Sequence, residues 1–343
     1  MMDRVGNHRR KVVIADYDYG DFDIERTILE AAGLEVVALQ ARSEDELITG
    51  AKDCAGIINQ YAYVGAKTLD ALPSVRIVAR YGIGVDIVDV DAATARGVLV
   101  TNVRDYCTDE VADHAIAMML TLARRLPQYN QASHAGKWRW QAARPIYRLR
   151  GSVIGIVSFG RIGRAITERA RPFGLDIVVF DPYVDDASIR EAGARRVTKD
   201  ELLERSDYVM MQTPLTAETR HFLGDAEFRR MKKRAIIVNT GRGPTIDGQA
   251  LYRALSEGLI AGAALDDTEE EPAHRRAWSP ASDPIFTLDN VIITPHVAYY
   301  TEESISMCRQ VAASEVARFL KGQRPHNPVN NVRLQDGSWS LPG

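Results

Sequence analysis

Short apolar runs alternate with amphipathic stretches along most of this chain. Runs of Val, Ile and Leu predict buried strands, whereas apolar residues that recur every three or four positions predict helices. Such alternation is typical of parallel sheets with helices packed on both faces. The predicted strands lie at 12–15, 34–39, 56–59, 75–79 and 98–101 in a first series, and at 153–157, 175–180, 208–212, 235–239, 260–265 and 291–294 in a second.

The predicted helices fit between these strands and follow them. Thr108 is the predicted N-cap of a strongly apolar helix over 108–123. A long helix over 302–319 follows the second series, and its position lets it return to the first. We expect residues 127–150 to be irregular and the residues after about 325 to form a loosely held tail. The other predicted helices lie at 24–32, 44–49, 68–72, 92–96, 161–171, 199–204, 226–231 and 249–257.

A glycine-containing turn joins the strand at 153–157 to the helix that follows it. Strand, glycine turn and helix in sequence predict a dinucleotide-binding fingerprint. The helix N-terminus offers backbone N–H groups to a pyrophosphate. In that geometry Gly160 lets the backbone approach the phosphates, and Gly163 lets helix and strand pack closely. The turn consists of Gly160, Arg161, Ile162 and Gly163.

Two further positions bear on the cofactor. Ser158 stands where a full G-x-G-x-x-G fingerprint has its first glycine, so an ordinary turn before a core helix is the alternative interpretation. Asp181, which ends the next predicted strand, favours the functional interpretation. A carboxylate at this point accepts hydrogen bonds from both adenosine ribose hydroxyls and repels a 2′-phosphate. The pattern therefore predicts NAD rather than NADP.

Composition and charge exclude several classes of function. The chain has 343 residues, of which 45% are hydrophobic and 26% charged, and its formal net charge is -3. These values are typical of a globular protein with two domains and do not indicate nucleic-acid binding. No apolar run reaches transmembrane length, and residues 1–11 lack the apolar segment of a signal peptide. Cys54, Cys107 and Cys308 have neither metal-ligand nor disulfide spacing, so we expect no metal and a cytoplasmic location.

Polar side chains follow three successive strands of the second series, where a parallel sheet binds its ligands. Arg242 can hold a carboxylate through its planar fork, and His296 can exchange the proton that accompanies hydride transfer. Glu271 would fix the tautomer of that histidine and favour its protonated form. Taken singly, each has an ordinary alternative: a surface salt bridge, a core or cap histidine, and a solvated acidic loop. Together, beside a fingerprint, they predict a dehydrogenase site.

Further motifs make the chain resemble the D-isomer-specific 2-hydroxyacid dehydrogenases from about residue 50 to residue 325. Residues 80–86, Arg-Tyr-Gly-Ile-Gly-Val-Asp, resemble the glycine loop whose backbone holds the substrate carboxylate in that family. Residues 213–219 and 231–243 resemble its second and third signatures. The resemblance assigns the family's arginine, glutamate and acid/base histidine to Arg242, Glu271 and His296.

The resemblance implies two α/β domains with doubly wound parallel sheets. These are a Rossmann NAD-binding domain over 103–298 and a flavodoxin-like, discontinuous substrate domain over 1–102 and 299–325, followed by a tail over 326–343. The implied reaction interconverts a 2-oxo acid and a D-2-hydroxy acid with NAD. The implied substrate-binding residues are Tyr81, Gly82, Ile83, Gly84 and Arg242, and the implied cofactor contacts are Ile83, Thr108, Gly160, Arg161, Ile162, Gly163, Asp181, Thr213, Pro214, Thr240 and Asp266.

Within the family, residues 106–114 and 296–300 are most similar to carboxy-terminal-binding-protein-like dehydrogenases, some of which are NAD(H)-responsive corepressors. A dinucleotide-sensing scaffold is therefore the rival to an enzyme. His114, inside the first of these segments, is interpreted as a core or interface histidine. Two departures from the family pattern are Ile87, where Asn is usual, and Ala298, where Gly is common.

Aromatic residues suggest a subunit contact and one wall of the substrate pocket. Trp138 and Trp140 lie among arginines, a composition typical of buried interface centres, and this predicts a homodimer. Nucleic-acid binding through residues 134–150 is a weaker alternative. Aromatic side chains at 60–63, Tyr81 and 299–300 favour an apolar or aromatic substrate side chain.

Overall fold

The computed structural model describes residues 10–270 and 278–332, and the chain divides into two compact units. Unit 1 runs to Tyr106 and resumes at Thr301, and unit 2 covers Cys107–Tyr300. The predicted boundaries, after residues 102 and 298, lie a few residues before these positions. Unit 1 is therefore discontinuous in sequence.

Unit 1 is built on a parallel sheet of five strands in the order β2-β1-β3-β4-β5. This is the flavodoxin-like order that the resemblance implied. Ser43 shows how local chemistry sets an element boundary, because its side chain accepts the Glu46 N–H and caps the second helix. The elements are β1 (Lys11–Ile14), α1 (Asp23–Ala31), β2 (Glu35–Ala38), α2 (Glu44–Gly50), β3 (Cys54–Asn59), α3 (Ala66–Ala71), β4 (Ile77–Arg80), α4 (Val90–Ala95) and β5 (Leu99–Thr101).

Unit 2 is built on a parallel sheet of seven strands in the order β12-β11-β10-β9-β6-β7-β8. The order reverses beside β6, which is the Rossmann arrangement with its switch point at the fingerprint strand. The predicted fold class is confirmed. The strands are β6 (Val153–Val157), β7 (Asp176–Phe180), β8 (Arg195–Arg196), β9 (Tyr208–Met211), β10 (Ile236–Asn239), β11 (Gly262–Leu265) and β12 (Val291–Ile293).

The hydrophobic pattern did not predict two helices of unit 2, α6 (Leu126–His134) and α8 (Asp186–Glu191). Because of α6 and a short 3-10 turn (Trp140–Ala143), residues 127–150 are not wholly irregular. None of the residues of that helix is buried, so it carries no apolar stripe. Thr108 is the first helical residue rather than the N-cap, which is Cys107. The helices are α5 (Thr108–Ala123), α6 (Leu126–His134), α7 (Arg161–Ala170), α8 (Asp186–Glu191), α9 (Lys199–Arg205), α10 (Asp225–Arg230) and α11 (Gly248–Ser256).

The last helix, α12 (Glu302–Leu320), returns to unit 1 as predicted. Its apolar side, including Ala313 and Val316, packs in the same core as Ile14 and Ile58. Burying this face is what stabilises the helix, because a single helix gains little from backbone hydrogen bonds alone. Among the described residues, no helix is both long and apolar enough to cross a membrane.

The prediction of a loose tail was wrong for residues 326–332. Val329 donates its N–H to the carbonyl of Val100 at 2.8 Å. The side chain of Asn330, which is buried, accepts the Val100 N–H at 2.8 Å and donates to the carbonyl of Val98 at 2.9 Å. These bonds satisfy backbone groups beside the edge strand β5, which explains why a polar segment is held in place. Residues 333–343 lie outside the described part.

Candidate active site

The parallel register of unit 2 aligns the carboxyl ends of its strands. Asn239 is the partner of Leu265 in neighbouring strands, and Leu265 is the partner of Ile293. The residues just beyond these ends therefore meet at one edge of the sheet. Arg242 and His296, which the sequence placed after different strands, lie there.

The turn that carries His296 is shaped by a buried carboxylate. Asp266 is 3% exposed. Its Oδ1 accepts the Thr294 hydroxyl at 2.6 Å and the Val297 N–H at 2.9 Å, and its Oδ2 accepts the Ala298 N–H at 2.9 Å. A single side chain thus organises the backbone on both sides of the histidine.

His296 adopts a left-handed backbone conformation within this turn. Its φ is 53°, and its N–H donates to the carbonyl of Asp266 at 2.7 Å. This conformation costs a non-glycine residue roughly 1–2 kcal/mol and persists only where the surroundings require it. The bonds made by Asp266 supply that requirement, so this residue, predicted as a cofactor contact, has a clear structural role as well.

His114 lies beside the same carboxylate, a contact that the sequence pattern did not predict. Its Nε2 is 3.1 Å from the Thr294 hydroxyl oxygen and 3.7 Å from Oδ1 of Asp266. Because that hydroxyl donates to Asp266, the hydrogen-bond network assigns the proton of His114 to Nε2. The residue is neither fully buried nor exposed. A helical histidine gives no periodic signal for such a contact, and the sequence led only to the interpretation of a core or interface histidine.

The turn after β10 fixes the backbone of Arg242. The carbonyl of Arg242 accepts the side-chain N–H of Asn239 at 3.0 Å and the hydroxyl of Thr245 at 2.6 Å. Asn239 also accepts the Gly241 N–H at 3.0 Å, so it holds the turn from both directions. A guanidinium on this turn is well placed to meet an anion at the carboxyl edge.

The fingerprint turn has the geometry that its glycines require, in spite of Ser158. Ser158 adopts a left-handed φ of 74°, and its N–H donates to the carbonyl of Phe180 at 3.0 Å. A Cβ on Gly163 would lie 2.5 Å from the carbonyl oxygen of Ser158, so helix and strand approach too closely for a side chain. At Gly160, the N-cap of α7, no described atom lies within 4 Å of a Cβ position. The turn is therefore open towards solvent.

Asp181 links this turn to the end of β7. It is 7% exposed, and its carboxylate accepts backbone N–H groups from Phe159 at 2.7 Å, Tyr183 at 2.8 Å and Val184 at 3.2 Å. A carboxylate has about four acceptor positions. Three of these positions are occupied by the backbone N–H groups. Two additional hydrogen bonds from ribose hydroxyls would therefore have to share an acceptor position or displace one of the three existing bonds.

The remaining predicted cofactor contacts of unit 2 lie between these two ends of the sheet. Ser158 donates its hydroxyl to that of Thr213 at 3.3 Å, and Gln212 bonds the hydroxyl of Thr240 at 2.8 Å. The carbonyl of Pro214 accepts the hydroxyl of Thr219 at 2.6 Å. Arg161 and Ile162 begin α7, and Thr108 begins α5. Ser158, Thr213 and Thr240 follow the neighbouring strands β6, β9 and β10, so they lie along the carboxyl edge between the histidine turn and Asp181.

The glycine loop belongs to unit 1, where it follows β4. Gly82 has a φ of 127°, and a Cβ there would lie 2.3 Å from the Arg80 guanidinium. The carbonyl of Gly82 accepts the Val103 N–H at 3.0 Å, and that of Ile83 accepts the Asn102 side chain at 2.7 Å. Within the described part of the chain, the N–H groups of Ile83 and Gly84 make no hydrogen bond. Unpaired backbone donors on a glycine-rich turn are suited to an anion.

Tyr81 was wrongly predicted to form part of a pocket wall. Its ring is 2% exposed, and its hydroxyl donates to Glu25 at 2.9 Å inside the core. Its own N–H donates to the carbonyl of Asn59 at 2.9 Å. Tyr81 therefore supports the loop from behind.

Glu271 lies outside the described residues, so its place in the predicted triad stays a prediction. Within the described ranges, no group of three His, Cys, Asp or Glu side chains could hold a metal ion. Cys54, Cys107 and Cys308 are buried and form no disulfide within the described chain, and burial raises the pKa of Cys54 to about 11.

A Rossmann unit with an open fingerprint turn, and with an arginine and a histidine at strand ends on the same edge of the sheet, is typical of a nicotinamide-dependent oxidoreductase. Comparison with known proteins gives the same class. Residues 116–298 match the family model for the NAD-binding domain of D-isomer specific 2-hydroxyacid dehydrogenases. Over 292 residues the chain is 39% identical to glyoxylate reductase of Korarchaeum cryptofilum (strain OPF8), a match that covers 84% of this chain and 86% of that protein.

Solved structures agree over nearly the whole chain. D-Lactate dehydrogenase from Aquifex aeolicus, complexed with NAD and lactic acid, superposes with a TM-score of 0.86 at 28% identity and covers 93% of this chain and 98% of its own. The NADPH-dependent glyoxylate/hydroxypyruvate reductase from Sinorhizobium meliloti, in complex with NADP and malonate, gives 0.81 at 28% identity, with coverage of 98% and 99%.

The chain belongs to the D-isomer specific 2-hydroxyacid dehydrogenase family and is an oxidoreductase of CH–OH groups. The narrower likeness to carboxy-terminal-binding-protein-like dehydrogenases is not tested by these relatives and stays a prediction.

The contacts of Asp266 predict the effect of Asp266→Asn. The amide keeps one acceptor oxygen but places an NH₂ group against a backbone N–H, so the turn loses a bond and gains a repulsion. We expect the free energy of unfolding to fall by about 2 kcal/mol, as for other buried donors left unsatisfied. Urea denaturation measures the change. Asp176→Asn, at an exposed position of β7, is the control and should stay within about 0.5 kcal/mol of the original protein; equal stability of both variants would contradict the role.

Proposed function

We propose that the protein is an NAD-dependent D-2-hydroxyacid dehydrogenase that reduces a small 2-oxo acid, with Arg242, His296 and Glu271 as its catalytic residues. The observation that carries the proposal is the turn at His296, because a strained histidine is held by the Asp266 carboxylate at the edge where Arg242 also lies. Backbone strain of this kind clusters at active sites and ligand clamps.

Each residue has a defined task in this proposal. When bound, NADH supplies the hydride, which reaches C2 of the 2-oxo acid. His296 donates a proton to the carbonyl oxygen, so that the C=O group becomes CH–OH, and takes a proton back in the reverse direction. The guanidinium of Arg242 binds the substrate carboxylate and polarises the neighbouring carbonyl. Glu271 favours the protonated imidazole.

The glycine loop of unit 1 offers backbone donors for a carboxylate. The N–H groups of Ile83 and Gly84 face no other acceptor in the described chain and would bind the carboxylate from unit 1. Relatives named for glyoxylate and lactate indicate that small 2-oxo acids are the substrates to test first. The exposed rings of Tyr61 and Tyr63 leave a larger apolar or aromatic side chain as a second class.

Turnover assays of single variants test the catalytic assignments. His296→Gln should lower kcat by roughly 10²–10⁴-fold, the usual contribution of a general acid. Arg242→Ala should lower kcat/KM by at least roughly 10²-fold while NADH still binds. The measurement is NADH oxidation with glyoxylate, hydroxypyruvate and pyruvate. Arg253→Ala, which breaks an exposed ion pair with Asp225, is the matched control.

Two results would contradict this assignment. Original turnover in His296→Gln at every pH would require another acid/base residue. A protein that binds NADH but reduces none of the 2-oxo acids tested would favour the dinucleotide-sensing scaffold that the resemblance of residues 106–114 leaves open.

NAD is the cofactor that we propose, on the evidence of Asp181. Relatives complexed with NAD and with NADP share this fold, so the choice rests on local charge. The Asp181 carboxylate lies at the end of β7, where an adenosine ribose binds in Rossmann proteins, and its charge repels a 2′-phosphate. Arg196 is nearby, but it is engaged by Asp186 and the Asp181 carbonyl.

Asp181→Asn and Asp181→Ala should both narrow the preference for NADH over NADPH. We expect at least a roughly tenfold loss of discrimination, because the repelling charge disappears in both. Asn keeps an acceptor for the Phe159 N–H, so it should lose less NADH affinity and less stability than Ala. Comparison of kcat/KM for the two cofactors measures the effect. An original enzyme that already uses NADPH as well as NADH would contradict the choice of cofactor.

We also propose a homodimer in which residues 126–147 cross onto a second copy of the chain. Trp138 is 90% exposed and Trp140 67% exposed, so neither packs within its own chain. None of the residues of α6 is buried in the described structure. Large exposed aromatic side chains among arginines are typical of interface centres, and two-fold dimers are the commonest closed assembly.

Light scattering at micromolar protein should report twice the mass of one chain. Replacing both Trp138 and Trp140 with Ala should yield monomers, because the two rings supply the apolar centre of the contact. Met307→Ala removes an apolar side chain that is 50% exposed on α12 and should leave the mass unchanged. A monomeric original protein, or a dimer that survives the double replacement, would defeat this proposal.

A further inference from the structure

A buried ionic network lies behind the glycine loop of unit 1. Glu25 on α1 is 1% exposed and Arg309 on α12 is 5% exposed. Arg309 donates Nε to Oε1 of Glu25 at 2.9 Å and Nη2 to Oε2 at 2.8 Å, which is a two-pronged bond. The Tyr81 hydroxyl donates to the same Oε1 at 2.9 Å. The carboxylate of Glu25, on α1, therefore connects α12 through Arg309 to Tyr81, the residue that follows β4.

Further contacts fix the orientation of this network. Nη2 of Arg309 also donates to the carboxylate of Asp21 at 2.8 Å and to its carbonyl at 2.9 Å. The hydrogen bond from Arg309 lowers the pKa of Asp21. The rings of Tyr19 and Tyr81 meet edge to face, 5.5 Å apart, and the guanidinium lies 5.3 Å from the Tyr19 ring. Burial first, and the Glu25 charge second, raise the pKa of Tyr81, so its hydroxyl stays a donor.

Stability alone is a weak explanation for this arrangement. Removing charges from water is costly, and replacing a buried ion pair by apolar side chains is often neutral or stabilising. The core around the network holds Leu29 and Ile77, among which a Phe at position 81 would be well accommodated. What the ionic network adds is a fixed direction for the hydrogen bond from Tyr81. The forked bond between Arg309 and Glu25 tolerates little rotation, so the carboxylate that accepts the Tyr81 hydroxyl is held in one orientation.

The direction matters because the residues directly after Tyr81 form the glycine loop. Gly82 has a φ of 127° that only glycine adopts readily, and the unpaired N–H groups of Ile83 and Gly84 come next. A small movement of the Tyr81 backbone would be passed on to both N–H groups. Neighbouring bonds hold the loop by its carbonyls from Asn102 and Val103, and the network holds it at its start.

We propose that Tyr81, Glu25 and Arg309 are positioning residues, which aim the N–H groups of the glycine loop at the substrate carboxylate and so set the affinity for the 2-oxo acid. The proposal rests on the dehydrogenase function proposed above. It assigns a role in catalysis to residues that touch neither substrate nor cofactor.

Tyr81→Phe is the sharpest test, since it removes one hydroxyl and keeps the ring. We expect KM for glyoxylate to rise roughly tenfold, the size expected when a bond to a charged group is lost. The inhibition constant of oxamate, a carboxylate isostere of a 2-oxo acid, should rise by a similar factor. KM for NADH and the kcat at saturation should stay within about twofold. Tyr208→Phe, a buried tyrosine of β9 in unit 2, is the matched control and should change neither constant.

A second variant keeps the charge of the network. Arg309→Lys retains a cation beside Glu25 but loses the fork, and it should also raise KM for glyoxylate without changing KM for NADH. If both residues act through one loop, the double variant should raise KM by less than the product of the two single effects. Thermal unfolding of each variant shows whether the fold is retained.

The outcomes separate this inference from the function on which it rests. An original protein that reduces 2-oxo acids, together with a Tyr81→Phe variant that loses only thermal stability, would overturn the positioning role and leave the dehydrogenase intact. An original protein that reduces no 2-oxo acid would overturn both. A rise in KM for glyoxylate and NADH alike would also overturn the inference, because a general loosening of the fold would then be sufficient.

Discussion

The parallel pairing of the strands is the constraint on which the rest of the structure depends. In both units every strand of the sheet runs in the same direction, so each crossover brings the chain back to the same starting edge. The carboxyl ends therefore accumulate at the opposite edge. In unit 2 this edge collects the fingerprint turn, Asp181, Arg242 and the His296 turn, although more than a hundred residues separate the first from the last. In unit 1 it receives the glycine loop after β4.

Buried carboxylates then shape the loops at these edges. Asp16, directly beyond β1, accepts the Gln60 N–H at 3.0 Å and that of Tyr61 at 2.5 Å, and burial raises its pKa although these bonds oppose the rise. Asp181 and Asp266 act in the same way on the fingerprint and histidine turns. A carboxylate suits this task because it accepts several N–H groups at once. The loops that carry chemistry are thereby held by side chains rather than by regular backbone pairing.

This way of building loops explains why some residues carry more than one role. Asp181 is the residue that we propose for the ribose, and it also accepts the Phe159 N–H of the fingerprint turn. Asp266 is expected at the nicotinamide, and it also holds the strained histidine. A change at either position affects binding and local structure together. Measurements of stability beside measurements of turnover are therefore needed to separate the two effects.

Local pattern was sufficient to predict most of the fold. The apolar runs of β6, β7 and β9–β12 are short, continuous and punctuated by turns, so their positions were readable to within a few residues. Among the elements that escaped prediction, β8 consists of Arg195 and Arg196, none of the residues of α6 is buried, and α8 has a single buried residue, Ile189, so none of the three gives this signal. The placement of Arg242 and His296 at one edge was also readable, because parallel topology alone brings strand ends together, whereas their chemical roles stay predictions.

Tertiary structure alone decided how these side chains are held. Nothing in the local sequence distinguishes a tyrosine that lines a pocket from one that is buried. Tyr81 proved to be buried, and its hydroxyl donates to Glu25, a residue far away in the chain that is itself held by Arg309. The contact of His114 with Thr294 spans 180 residues, and the anchoring of Asn330 beside β5 spans more than 200. Hydrophobic periodicity reports which face of an element is buried, whereas a polar contact depends on the position of a partner that only the folded chain brings near. The sequence by itself therefore determined the class of fold and the edge at which the predicted site lies, and the three-dimensional packing decided which polar groups shape that edge.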